Sequence, residues 1–161
     1  MRATSPFAHL QMPLHRISSR TWAVLIARLI LGLIFFMAGV WKVFTLGPLE
    51  HARGMFVEPY AETFLPTWSL WVTGTAVPLV ELGAGALLLV GLWARSALLA
   101  LGAVLVLVTF GHLLVEPLYQ FHTHVFPRTA LLLFLLVMPA SDDRLSLDRW
   151  LAGRRHMGDM A

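Results

Sequence analysis

Four long apolar runs dominate this chain and constrain what it can fold into. Residues 22–44 read WAVLIARLILGLIFFMAGVWKVF, and residues 68–93 read WSLWVTGTAVPLVELGAGALLLVGLW. Residues 97–115 carry no formal charge, and residues 121–140 place His122, His124 and Arg128 ahead of TALLLFLLVMPA. A helix needs about 20 mostly apolar residues to cross a bilayer, and each run approaches or exceeds that. Composition agrees. Hydrophobic residues make up 58% of the 161 and charged residues 13%, against roughly 45–50% and 25% in soluble domains. The mean hydropathy of +0.73 excludes an ordinary soluble globule and a disordered chain.

These runs predict an all-α integral membrane protein, a four-helix transmembrane bundle with spans at 22–44, 68–93, 97–115 and 121–140. Three spans plus a re-entrant segment is the alternative. Residues 1–21 form an N-terminal flank, residues 47–67 an outer loop, and residues 141–161 a short amphipathic C-terminal helix. The first run is read as a span and not as a cleavable signal, because its apolar core is long and no small-residue cleavage site follows. Arg2, Arg16, Arg20, Arg95, Arg144, Arg149, Arg154 and Arg155 all fall on one side, with Arg53 on the other. Basic residues collect on the cytoplasmic side, so both termini are expected to be cytoplasmic, in a multi-pass protein of a bacterial inner membrane. The formal charge of +3 lies mostly at the ends and forms no basic face, so no nucleic-acid partner is expected. The absence of cysteine excludes disulfides, thiolate metal sites and a dithiol relay carried by this chain.

Within the spans, small and polar residues keep to one helical face. Arg28, Gly32, Phe35, Gly39 and Lys42 share a face of the first span, and Gly74, Pro78, Glu81 and Gly85 one of the second. Gly102, Leu105, Thr109, His112 and Glu116 share one on the third, while His124 and Arg128 lie four apart on the fourth. Small residues let helix backbones approach and polar ones pair across helices, so these seams should face one another, with Ala100 off the seam. Ionisable groups inside a membrane are expensive and mark candidate sites. Lys42, Glu81, His112, Glu116, His124 and Arg128 are therefore the candidate ligand-binding residues, gathered in the outer half, with Glu81 the candidate catalytic proton acceptor. Plain helix pairing is the competing reading, and rim snorkelling accounts for Lys42 and Arg28 taken singly. His112, Glu116, His122 and His124 have metal-ligand spacing, but Arg128 opposes a cation. A His, Glu and Arg set also suits a quinone: imidazole or guanidinium holds a carbonyl oxygen and a carboxylate takes the accompanying proton. The loop at 47–67 should lie in the membrane interface with Trp68 and Trp71 as anchors. In the tail, Leu145, Leu147, Trp150 and Leu151 should face lipid.

RLILGLIFFMAGVWK, ELGAGALLLVGLWAR and LSLDRWL together resemble the DoxX family of small bacterial membrane proteins. The matching positions are Arg28, Gly39, Lys42, Glu81, Gly85, Gly91 and Arg95, and the likeness runs from Arg28 to Leu151. The resemblance implies a four-span bundle and a redox context. DoxD-type relatives are implied to be subunits of a thiosulfate:quinone oxidoreductase, and MauE-type relatives to handle cysteine chemistry. This chain departs from the latter in having no cysteine, and its FGHLLVEPLYQFHTHVFPR segment is rich in histidine. The expectation that follows is a quinone-linked redox membrane subunit whose outer-half pocket takes a quinone or small substrate. Other membrane or periplasmic redox subunits would be its partners, in an oligomer or complex. No motif specifies catalysis or a resident cofactor. A non-catalytic scaffold or small-ligand binder is the alternative, and a metal or solute transporter the third.

Overall fold

The structure, a computed structural model, describes residues 18–116, 123 and 125–158, with side chains through residue 153. The described residues contain helices and turns and no strand. Helix α1 (Ser19–Val40) opens on Ser18, whose extended backbone and side-chain oxygen cap the Thr21 N–H at 3.3 Å. It continues without a break into a π-helical stretch, Trp41–Leu46, which ends at Gly47 with φ +88°. Pro48 then starts the short α2 (Pro48–Ala52), as proline suits a first helical turn. A second π-helical stretch, Arg53–Val57, extends α2. Helices α3 (Thr67–Val90) and α4 (Ala94–Val115) follow, then α5 (Val125–Val137), a 3₁₀ turn (Ala140–Asp142) and α6 (Leu147–Gly158).

Helix α1 with its π extension, α3 and α4 are each long and apolar enough to cross a membrane. Helix α5 has 13 residues, or about 20 Å at 1.5 Å per residue, short of a hydrocarbon core of roughly 30 Å. The sequence places the start of a fourth span at Phe121. Residues 117–122 and 124 lie outside the described residues, and the described part is a shorter apolar helix.

Among the described residues, the α1–α3 crossing is the closest helix packing. A Cβ on Gly39 would lie 2.5 Å from the Leu82 nitrogen, and one on Gly85 would lie 2.5 Å from the Phe36 nitrogen. The two backbones touch there because neither helix carries a side chain at its contact, as the glycine seams predict. Leu31, Phe35, Leu88, Leu98, Leu101, Leu132 and Leu135 fill the core between α1, α3, α4 and α5. Leu33, Val106, Phe126 and Val137 remain half or more exposed on the outside, an apolar belt suited to lipid. Ala100 packs partly against the core. The open position is instead Gly83, where an added Cβ meets nothing within 4 Å.

Two local arrangements were not legible in the spacing. In the loop at 47–67, α2 and its π extension fold back onto α3. Ala52 and His51 are buried, and a Cβ on Gly74 would strike the Ala52 Cα at 2.6 Å. Gly74 thus serves the loop and not another span.

Arg28, expected to snorkel, is only 2% exposed. Its guanidinium donates to the carbonyls of Leu88, Leu89 and Leu145. The cause is the end of α3. A Schellman turn closes it at Gly91 (φ +69°), with Leu92 N–H bonded to Leu87 O at 3.0 Å. Leu88 O accepts from Gly91 N–H at 3.2 Å, and Arg28 adds a side-chain donor to it and to Leu89 O at this helix end. The C-terminal segment completes this end. Both Asp148 carboxylate oxygens accept from the Trp93 and Ala94 N–H groups that start α4, and Asp148 N–H returns a bond to Gly91 O at 3.0 Å. The Leu-Asp ending is therefore the cap of a distant helix. Leu145, Leu147, Trp150 and Leu151 keep 36% or more of their surface exposed, as lipid-facing residues would.

Candidate functional site

Glu81 sits on the buried face of α3 with 4% of its surface exposed. Lys42 reaches it from the π-helical end of α1, with Nζ 2.6 Å from Oε2. A π-helical turn widens the ladder by one residue and re-aims its side chains. Such stretches collect at functional positions in helices, and this one carries the only lysine of the chain. The pairing replaces the rim-snorkelling expectation for Lys42. Its side chain is 23% exposed against 5% for Glu81, so the pair is approachable from the lysine side only.

Sequence reasoning missed His51, the third member of the cluster. Pro78 lies inside α3 and has no N–H, so the carbonyl four residues earlier, that of Gly74, loses its helical donor. His51 Nδ1 takes that place at 2.7 Å. A carbonyl oxygen can only accept, so Nδ1 carries the proton and Nε2 of the neutral ring is left as an acceptor. The ring is 3% exposed and lies 5.7 Å from the Phe56 ring. Burial pushes the His51 pKa below its ordinary value. The bond to Gly74 works against that shift, the Lys42 charge adds to it, and the Glu81 charge opposes it. The usable signal was Pro78 itself: a proline inside a spanning helix frees a carbonyl that some neighbour must satisfy.

The remaining expected site residues are placed less tightly. Arg128 on α5 points its guanidinium at Phe35, with Cζ 5.7 Å from the ring centroid, a cation–π geometry on the core side of α1. His112 is half-buried near the end of α4, and Glu116 is exposed at its C-cap, its N–H bonded to His112 O at 2.7 Å. His122 and His124 lie outside the described residues. Among the described residues no three His, Asp or Glu side chains are grouped to hold a metal. A small cavity of about 140 Å³ lies beside the loop, walled by Phe56, Tyr60, Thr73, Phe110 and Gly111. Gly111 allows this closeness, since a Cβ there would lie 2.8 Å from the Tyr60 hydroxyl. The structure thus brings Lys42 and Glu81 together, adds His51, and sets Arg128 against the core.

The DoxX family model matches residues 23–114. The chain belongs to the DoxX family. The match spans α1 through nearly all of α4 and so includes Lys42, His51 and Glu81, whereas the Asp148 cap lies beyond it. No curated protein and no solved structure matches the chain. With three helices able to cross a bilayer, this DoxX protein is a multi-pass membrane protein in contact with lipid.

Proposed function

We propose that this DoxX protein is a quinone-linked redox subunit of the bacterial inner membrane and that Lys42, Glu81 and His51 form its proton-handling centre. One observation carries the reading. A buried carboxylate and an ammonium pair between α1 and α3, and a histidine whose burial favours its neutral form lies on α2 within electrostatic range of both. A pair alone would crosslink two helices. The neutral imidazole adds a proton acceptor beside it. Reduction of a quinone takes up two electrons and two protons. The chain has no cysteine and no recognisable haem, flavin or cluster motif, so the electrons come from a redox partner or from a bound substrate. The protein's own part is to hold the carbonyl oxygen and deliver protons. Lys42, the more exposed member, meets the ligand as a hydrogen-bond donor, and a proton it gives up is replaced from water by way of the Glu81 carboxylate and His51 Nε2, each of which accepts a proton before passing it on.

The second reading is a non-catalytic scaffold or small-ligand binder, favoured by how completely Lys42 occupies Glu81 at 2.6 Å. Mass spectrometry of small molecules that co-purify in mild detergent tests the proposal. A quinone in near-stoichiometric amount is expected. A stoichiometric protein partner with no quinone would replace the redox reading with the scaffold.

A further inference from the structure

At the opposite end of the bundle, a cavity of about 370 Å³ lies between the α3–α4 turn, α5 and α6. Its size falls within the range of small-molecule sites. One wall is apolar, made by Val24, Leu98, Leu135 and Met138, and the other carries Arg28, Arg95 and Arg149. Of the two acids that line it, one is already engaged. Asp148 caps α4 through both oxygens, and Asp143 faces Arg28. Arg95 and Arg149 are exposed, and no carboxylate pairs with either among the described residues. Arg95 Nη2 has only a long 3.5 Å contact to Met138 O. At the floor, Arg28 is 2% exposed and its Nε finds no hydrogen-bond acceptor. The nearest, Asp143 Oδ1, stands 3.5 Å away and is itself buried without a donor, well beyond the roughly 2.7–2.9 Å of a formed charge-assisted bond. The cavity therefore offers two unpaired guanidinium groups at its mouth, a polar floor with one donor and one acceptor unused, and an apolar side.

We propose that this cavity binds a phosphate-bearing amphiphile. Arg95 and Arg149 hold the phosphate, and the apolar part lies on Leu98, Leu135 and Met138. Guanidinium forks match phosphate oxygens in shape and charge, and basic pockets at the ends of membrane helices suit acidic lipid headgroups. The position favours an anionic phospholipid over free phosphate, because the mouth sits at the helix ends beside the exposed Trp150 and Leu151.

Native mass spectrometry of the full chain tests this, after exchange into vesicles of equal parts phosphatidylglycerol and phosphatidylcholine. Wild type should retain the anionic lipid over the zwitterionic one by about tenfold. R95Q/R149Q should abolish that preference while melting normally in phosphatidylcholine. R20Q/R144Q, which loses the same charge at exposed arginines outside the cavity, should keep it. Equal retention by wild type and R95Q/R149Q would overturn the proposal, as would equal loss in R20Q/R144Q. If R95Q/R149Q misfolds, R95K/R149K serves in its place: it keeps the charge but not the fork, and an unchanged preference would overturn the guanidinium assignment. A parallel arm adds inorganic phosphate in neutral detergent. Thermal stabilisation there that depends on Arg95 and Arg149, without lipid enrichment, would reject the lipid and assign a free phosphate.

Discussion

Pro78, Gly74 and His51 show how one missing proton donor organises a site. The proline removes a helical hydrogen bond, the glycine opens α3 to the loop, and the histidine fills the gap from α2. Lys42 and Glu81 were legible in the sequence because a charge inside an apolar run is conspicuous. His51 was not, since it lies in a polar loop where a histidine needs no explanation until Pro78 supplies one. Its titration has a consequence for stability. The folded ring binds a proton less readily than the unfolded one, so its contribution is complete above the ordinary value of 6.5 and is lost as pH falls through the lowered folded value. The melting temperature in detergent should therefore drop on acidification below that point. His51→Gln, which keeps an N–H for the Gly74 carbonyl, should show a smaller drop. Parallel pH profiles for the two proteins would remove His51 from the buried cluster.

At the scale of elements, the spacing of glycine and polar residues located the α1–α3 contact correctly, because backbone approach depends on side-chain size alone. It misassigned Gly74, which receives the loop, because periodicity gives a face and not its neighbour. The C-terminal Leu-Asp ending was legible as a pattern, but its capping of α4 is a contact between segments far apart in sequence. Gly85→Leu must push α3 off the Phe36 backbone, so it should destabilise the protein by several kcal/mol, as severe overpacking does at about 1–3 kcal/mol or more. Gly83→Leu, two residues away with open space around it, should cost little. Thermal melts that rank the two variants equally would contradict the crossing.

For the whole molecule, composition and four apolar runs were enough to read an all-helical membrane protein. The fourth span was read from Phe121 onward, and the described helix begins at Val125. Orientation rests on where the arginines fall. Reporter fusions within residues 47–67 should read as external, and fusions after Arg95 and Ala161 as cytoplasmic. A cytoplasmic signal from 47–67 would invert the molecule and place the Lys42–Glu81 pair near the inner surface.

The Lys42–Glu81 pair either serves a ligand or only joins α1 to α3, and a double substitution separates the two. Glu81→Gln alone strands the Lys42 cation and should cost about 3–5 kcal/mol of stability. Glu81→Gln with Lys42→Met leaves no unpaired charge and should recover most of it. The deciding measurement is the affinity of this well-folded double variant for a short-chain benzoquinone. Its affinity should be at least about tenfold below that of the wild type, a loss of roughly 1.4 kcal/mol, although its melting temperature is close to the wild-type value. Wild-type affinity in the double variant would leave the pair as a crosslink and refute the proton-handling site.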